Sequence, residues 1–544
     1  MTPLHTSYDA VIVGGGHNGL VASFYLARAG KRVLVVEQRD RVGGLVAPIE
    51  FFPGYRGAMT NTPSALDPKV AHDMQLSSFG LVYDRPDPTM VFPLTNGDAF
   101  LAWRDRAKVI EELARVAPGD VDAYFAILDY FDEFAQALGV SVREELPSLA
   151  EIAARLTTPE LEHAFNQIFF GSIADFLEPR ISSPHLKALL ASLAMSSGNV
   201  APSTPGSPLG LLRRPLSSVR APRVDDDPGK APLRGSTGLP RGGMGTIAEA
   251  MERSLRELGV EILTDTRVER ILTADGHASG VVLGGGIEVS ADIVVSNLHP
   301  RTTMLDLVDQ RVVPDVIRDE LGAIRAAGGA YKLILALDGV PTHRSSTSAE
   351  DAIHRASCQF RYSPTVEYLE RAHQDYIAGR VSARPKMLGL IPSLSDPTLA
   401  PEGKHLMTIS VWFAPYELAA GEWNQARKDE FDEICLDTIE EFMPDIRQKT
   451  IDRVSYSPAD FEAEYGLVGG NQLHGDMTPI GFFSRPTPSL RGYRTPVPGL
   501  YLCGSGTWPG GTVTGLPGHN AAHAILSDLA RVEAERIDGL AVSA

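Results

Sequence analysis

The residue types and spacings best suited to chemistry lie near the two ends of the chain. Gly14, Gly16 and Gly19 stand at G-x-G-x-x-G spacing directly after the apolar run at 10–13, and a helix-forming stretch follows. Such a turn is built to hold a pyrophosphate. Gly14 allows the sharp bend, Gly16 lets bare backbone approach the phosphates, and Gly19 lets the helix close on the sheet. The helix N-terminus adds N–H donors and a positive dipole end. Glu37, 18 positions after Gly19, closes the next apolar strand. A carboxylate there accepts hydrogen bonds from an adenosine ribose. A glycine triplet alone would be only a turn; both strands, the helix and the terminal acid together make a dinucleotide site. Arg41, Gly43 and Gly44 form an R-x-G-G step just beyond it. Far downstream, at 499–526, a second glycine turn carries Gly504, Ser505, Gly506 and Thr507, then Gly515 and Leu516 at the entrance to a last helix.

The pairing of an R-x-G-G continuation with a late strand–GxGTxPGG–helix resembles the FAD-binding flavoproteins that include carotenoid (phytoene) desaturases, flavin amine oxidases and retinol saturase. Within them, the run GGNxxHG, FFxRP, YRTPVxGLYLCGSG and VTGxPGHNAA at 469–522 resembles the branch of pyridine nucleotide-disulfide oxidoreductase domain-containing protein 2. The resemblance covers most of the chain, more loosely in the middle. It implies FAD as cofactor, clasped from both chain ends, with the late turn at the flavin and Val268 against the cofactor. It also implies an α/β fold: a Rossmann-type, glutathione reductase-like FAD-binding domain interleaved with an α+β substrate-binding domain that carries a helical region.

The chemistry would be the cofactor's, with the isoalloxazine N5 taking a hydride from a substrate C–H bond. His474, in GGNQLHGDMTP, reads either as an acid/base or polar substrate contact, because imidazole titrates near neutral pH, or as a structural histidine bonded to loop backbone. Trp508 reads as an aromatic facing flavin or substrate, or as core; His519, in PGHN, as a group at the flavin edge or as capping and packing. Chain geometry leads us to expect His474, Trp508 and His519 in one pocket. Arg485 reads as an anion holder or as half of a structural ion pair. Flavin amine oxidases often use a lysine near the flavin, and Lys332 and Lys386 are the candidates here. No second dinucleotide fingerprint exists, since Gly284, Gly285 and Gly286 sit between two strands. Electrons are therefore expected to pass from a small hydrophobic substrate to FAD and on to dioxygen or a quinone.

The function expected from these features is desaturation of an extended carotenoid- or isoprenoid-like substrate. Flavin amine oxidation, saturation and isomerisation remain alternatives. So does a non-catalytic binding protein of the escort or GDP-dissociation-inhibitor type, which the intact Glu37 and late glycine segment argue against. The net charge of −18 argues against nucleic acid as a partner and against bulk attraction to anionic lipid. It leaves open a peripheral membrane contact through a local basic patch. No apolar run reaches about 18 residues and no leader pattern precedes the first strand, so a cytoplasmic location is expected. Cys358, Cys435 and Cys503 form no C-x-x-C pair, so no redox-active disulfide is expected, and no Cys/His spacing suggests a metal site. Cys503 reads as a buried structural thiol.

These residues must be positioned by an interrupted architecture. The FAD-binding domain is expected at 1–70, 240–310 and 485–544, and the substrate-binding domain at 71–239 and 311–484. Residues 45–63, turn-rich and aromatic, would pass the flavin. Residues 105–200 have helical apolar spacing, for example at 121–138. Residues 201–240, with eight prolines, read as a loop, linker or lid. Its front part carries Arg213, Arg214, Arg220 and Arg223, and reads as a solvated surface loop or as a membrane-touching or substrate-gating segment. Ile247, Met251, Leu255 and Leu258 predict a helix ended by Gly259. Alternating strands follow up to Asn297, His299 and Pro300.

Overall fold

The computed structural model describes residues 5–60, 65–221 and 238–542. Its first sheet has five parallel strands in the spatial order Leu500–Leu502, Ile287–Ser296, Ser7–Val13, Val33–Val36 and Glu261–Leu263. Helix His17–Arg28 makes the crossover from Ser7–Val13 to Val33–Val36. All four residues of Val33–Val36 are buried, as expected of a parallel strand covered on both faces. Strands Val268–Ala274 and His277–Leu283 extend this sheet as an antiparallel meander, with Gly284 to Gly286 in the last turn. The chain leaves Ser7–Val13 toward Val33–Val36, whereas its other neighbour is Ile287–Ser296. The crevice between the carboxyl ends of Val13 and Ser296 is therefore the switch point at which doubly wound sheets take ligands.

Helix Gly245–Glu257 buries Ile247, Met251 and Leu255 and is followed by Gly259 at φ +77°. Leu258, expected on the same stripe, is 44 % exposed because the helix has already ended. The last helix, Leu516–Val542, crosses the first at Gly518, where a Cβ would come within 2.0 Å of the Asn18 carbonyl oxygen. Only glycine permits that approach.

The second sheet has seven strands, in the order Thr450–Tyr456, Gly328–Leu337, His405–Pro415, Lys386–Leu390, Gln359–Tyr362, Met90–Pro93 and Ala99–Ala102. All ten residues of Gly328–Leu337 are buried, and their alternation sorts the two faces. Tyr331, Leu333 and Leu335 pack with Phe431, Cys435 and Ile439 of helix Gln425–Glu440. Lys332 lies on the opposite face.

A group of helices, including Val121–Leu138, Pro159–Phe169 and Pro184–Ala194, shares one buried apolar cluster with residues of both sheets. Thr158 and Ser183 cap the latter two, each accepting from a backbone N–H of the first turn. Inside the proline-rich segment, helix Leu209–Ser218 buries Leu209, Leu212 and Leu216. This overturns the surface-loop reading: the leucines form an apolar stripe at helical spacing that Pro215, near the helix end, does not break. Arg223 lies outside the described residues. The stretch after the R-x-G-G step forms the hairpin Ile49–Phe52 and Tyr55–Gly57. Among the described residues, no helix is long and apolar enough to cross a membrane.

Candidate functional site

One cavity of about 1670 Å³ reaches from the first glycine turn to the face of the second sheet. This exceeds the roughly 300–1,000 Å³ of ordinary ligand pockets. Gly14, Gly16 and His17 line one end, so the N-terminus of helix His17–Arg28 opens into the cavity with no acidic side chain in its first turn. Gly14 takes φ +94°, and a Cβ on Gly19 would meet the Gly14 carbonyl oxygen at 2.4 Å. These two glycines are needed for the turn and for helix-to-strand closure. At Gly16 the position of a Cβ is taken by Asn297, whose Nδ2 would lie 2.5 Å away.

Glu37 is buried and lines the same end. Its two carboxylate oxygens accept from the N–H groups of Gly15, at 2.8 Å, and Arg39, at 2.9 Å. Burial raises its pKa, while those two backbone bonds and the Arg39 charge pull it back down. Each oxygen keeps a lone pair for a ligand hydroxyl. Gly43 is drawn to the turn by a parallel bridge to Gly16 and by donating to the Gly15 carbonyl at 2.8 Å. Gly43 and Gly44 line the cavity, as does Val268.

Arg41, the expected cofactor contact of this step, does not line the cavity. Its guanidinium pairs with Asp40 at 2.5 Å and donates to the Pro48 carbonyl at 2.9 Å, which holds it at the surface. Arg39 lines the cavity instead, 4.3 Å above the Tyr465 ring, with Nη1 buried and unpartnered. The sequence offered a signal for Arg39, its position two residues after Glu37, but nothing that ranked it above Arg41.

In the late segment, Ser505 and Leu516 line the cavity, together with Thr512, Val513 and Thr514. Gly504, Gly506, Thr507 and Gly515 lie behind this surface. A Cβ on Gly504 would come within 2.6 Å of the Asn297 carbonyl oxygen, and one on Gly506 within 2.6 Å of Pro300. Thr507 donates to the Gly504 carbonyl at 2.9 Å. Gly515, at φ +74°, faces Val21 and Val70. Gly504 and Gly506 let the turn pack against the segment that follows strand Ile287–Ser296, Thr507 closes the turn on itself, and Gly515 lets the helix entrance pack against Val21 and Val70.

His474 lines the cavity, is buried, and adopts φ +54°, a left-handed conformation that few non-glycine residues take. Its ring centroid lies 5.0 Å from that of His299. His299 Nδ1 accepts from the Arg301 N–H at 3.1 Å, which leaves the proton on Nε2. His299 Nε2 and His474 Nδ1 are both buried without partners. Burial, with help from the Arg485 charge, lowers the His474 pKa to about 3. The imidazole is neutral at pH 7, so the expectation of a group titrating near neutrality fails for it. Among the described residues Arg485 is not half of an ion pair. It donates to the carbonyls of Leu473, Gly475 and Ser505, tying the His474 loop to the late glycine turn.

The three expected active-site residues do not share one pocket. Trp508 is buried edge-on against Phe482 at 5.0 Å, and its carbonyl accepts from the Tyr493 hydroxyl at 3.0 Å. His519 packs against Tyr25 and His523, with Nδ1 2.7 Å from Asn520 Oδ1. Neither reaches the cavity surface, because the glycine turn and the helix entrance stand between. Both are held by these packing contacts, with Trp508 Nε1 and His519 Nε2 buried without partners.

The other end of the cavity is formed by the second sheet and helix Leu209–Ser218. Lys386, Arg361, Ser410 and Trp412 line it on one face of the sheet. Lys332 stands behind Ser410, donating to its hydroxyl at 3.1 Å. Arg213 and Arg214 face the cavity from the helix, and Arg213 donates to the Gly511 carbonyl and the Thr512 hydroxyl. The three cysteines are buried and free, and burial raises the pKa of each. Among the described residues, no group of three or more His, Cys, Asp or Glu could hold a metal ion.

A dinucleotide fits this arrangement on its own evidence. The helix N-terminus meets no side-chain anion, Glu37 has acceptor capacity to spare, and His17 Nε2, Arg39 Nη1, His299 Nε2 and His474 Nδ1 are all buried without partners. The model for flavin containing amine oxidoreductases matches residues 19–526, and the chain belongs to that family. It is 30 % identical over 561 residues to the pyridine nucleotide-disulfide oxidoreductase domain-containing protein 2 of Rattus norvegicus, covering 97 % of this chain and 94 % of that one. A phytoene desaturase (neurosporene-forming) of Rhodobacter capsulatus is 24 % identical over 524 residues, covering 94 % of this chain and 92 % of its own. Among solved structures, an oxidoreductase from Methanosarcina mazei superimposes with a TM-score of 0.60 at 17 % identity, covering 95 % of this chain and 99 % of that one. The protein is an FAD-dependent oxidoreductase.

Proposed function

We propose that the enzyme dehydrogenates a C–C bond of an elongated, largely apolar substrate and passes the electrons to dioxygen or a quinone. The observation that carries this reading is the continuity of the cavity from Glu37 and the first glycine turn to Lys386 and Trp412 on the second sheet. Its volume accommodates a dinucleotide and a substrate end to end. FAD, when bound, supplies the two-electron acceptor. Glu37 and the helix N-terminus hold the adenosine and pyrophosphate half, with Gly43, Gly44 and Val268 beside them. Ser505, Thr512 and Leu516 frame the flavin half. His474 and His299, neutral and short of partners, orient polar groups without carrying charge. Leu193 and Leu388 contribute apolar wall and help exclude water. We assign the nucleotide-binding domain to 1–70, 240–310 and 485–544, and the substrate domain to 71–239 and 311–484, because the first sheet and the second sheet draw their strands from these stretches.

The phytoene desaturase among the relatives supports C–C dehydrogenation. An amine substrate is disfavoured by the Arg361 guanidinium at the sheet end. The test is anaerobic mixing of the FAD-loaded protein with elongated isoprenoids and with primary amines, followed by the flavin absorbance. Bleaching by an isoprenoid supports the reading; bleaching by amines alone would overturn it.

A further inference from the structure

The sheet end of the cavity carries a group of donors with no acid to meet them. Lys386 and Trp412 pair across neighbouring strands, as do Arg361 with Leu388 and Lys332 with Ser410, so all point to one face. Lys386 and Lys332 are buried, at 3 % and 1 % exposure. The Lys386 ammonium donates to the Met195 carbonyl at 3.2 Å and sits 5.7 Å from the Trp412 ring. Arg361 Nη1 donates to the Ser196 hydroxyl at 3.1 Å. Arg361 Nε and Trp412 Nε1 are buried with no partner at all. Among the described residues, none of the three basic groups has a carboxylate partner. Five carboxylates line the cavity, and none pairs with these groups: Glu37 is engaged at the glycine turn, Asp67 with Arg143 and Glu462 with the Tyr416 hydroxyl, Asp132 faces the Arg214 charge, and Asp306 lies in the turn Thr302–Leu307.

An uncompensated guanidinium and two buried amines under a sheet are costly to hold, and donors without acceptors add to that cost. Lysine, arginine and tryptophan side chains have donors only, so the missing partner must be rich in acceptors. We propose that Lys386, Arg361 and Trp412, backed by Lys332, bind the carboxylate of an elongated apolar acid, which makes the substrate an amphipathic anion. This rests on the reading of the cavity as the substrate site and narrows its substrate class. The planar guanidinium suits two-point contact with a carboxylate, and the lysines add charge. Burial lowers the pKa of Arg361 to about 10 and of Lys332 to about 7 and, with the Arg361 charge, holds that of Lys386 well below its usual value, so Arg361 carries the charge in the empty site and a bound carboxylate would draw protons onto the lysines.

The test is calorimetric titration of the FAD-loaded protein with three chain-matched probes: decanoate, decanol and decylamine. Decanoate is expected to bind at least roughly 10-fold more tightly than decanol, and decylamine not to bind. The K386M/R361M double variant should lose roughly 10- to 150-fold in decanoate affinity, the range for hydrogen bonds to a charged group, with decanol unchanged. The variant should also melt no lower than the parent, because it removes buried charge; a structural role for the pair predicts a lower melting point. Decanol binding as tightly as decanoate, decylamine binding more tightly, or decanoate affinity surviving in the variant would overturn the proposal. If the double variant does not fold, the parent's preference among the probes decides. Heat is read whether or not the flavin turns over, so a failure here is distinct from a failure of the dehydrogenation reading, which flavin bleaching reports.

Discussion

The imidazoles of His299 and His474 lie 5.0 Å apart, tilted by 43°, and each has one ring nitrogen buried without a partner. Burial is the largest cause holding both pKa values down, that of His474 to about 3, and each ring lies near the Arg485 charge. Protonating either ring would place a cation beside the other and beside Arg485. Both rings are therefore held neutral.

The first prediction follows from that neutrality. The profile of kcat/KM against pH should show no limb near 6.5 that disappears in His474→Asn. His474→Ala should slow turnover by roughly 2- to 10-fold, the worth of one neutral hydrogen bond, rather than by the roughly 10²–10⁴-fold of a lost acid/base. Stability carries the opposite signature. With a folded pKa of about 3, the buried imidazole contributes stability that is full above pH 6.5. It is lost as pH falls toward 3, because the unfolded chain binds the proton first. Thermal melts of the parent and His474→Asn between pH 7 and pH 4 should converge if this is correct.

A second prediction separates the two halves of the cofactor. Glu37→Ala should weaken FAD by about 1.5–3 kcal/mol, the range for hydrogen bonds to a charged acceptor, and leave FMN affinity unchanged. Glu37→Gln should not rescue it. An amide can accept from Gly15 or from Arg39, but must then set its own N–H against the other backbone donor. Titrations of FAD and FMN into apoprotein distinguish these outcomes.

The contrast between Glu37 and Arg41 marks what was legible in the sequence. Glu37, Gly14 and Gly19 are dictated by backbone geometry within one strand–turn–helix–strand unit, so spacing alone located them. Arg41 and Arg39 are close in sequence, and which of them faces the cavity depends on whether Asp40 and the Pro48 carbonyl or the Tyr465 ring captures the guanidinium. Tyr465 arrives from more than 400 residues away, so no local pattern reports it. Trp508 and His519 flank a glycine turn whose existence was readable, but the side of the turn they take depends on packing against Phe482 and Tyr25. Helix Leu209–Ser218 was hidden by prolines, although its leucine stripe was present in the sequence. Lys386 and Arg361 share a face only because two separate strands pair in one register.

A third prediction concerns electron entry. The described sheet has one switch-point crevice, and the turn at Gly284 to Gly286 joins two strands instead of opening a helix. NADH and NADPH should therefore fail to bleach the bound flavin rapidly without oxygen. Fast bleaching by either at micromolar concentration would show a nicotinamide site and would favour saturation over dehydrogenation.

The last prediction concerns Arg485, whose guanidinium reaches carbonyls on both sides of the cavity wall. It joins Leu473 and Gly475, which flank His474, to Ser505 of the late glycine turn. His474 is held at φ +54° by this loop, so the strained conformation depends on the fastening. Arg485→Leu would leave the buried carbonyls of Leu473 and Gly475 short of donors, at about 1–3 kcal/mol for each unsatisfied group, and release the part-buried Ser505 carbonyl. Arg485→Lys supplies a single compact donor head in place of a fork and should recover only part of the loss. The expected result is a lower melting temperature together with weaker flavin binding in both variants, the lysine variant intermediate. Isothermal denaturation and flavin release measured on the same samples check it. A variant with parental stability and flavin affinity but lost substrate binding would instead make Arg485 a substrate contact.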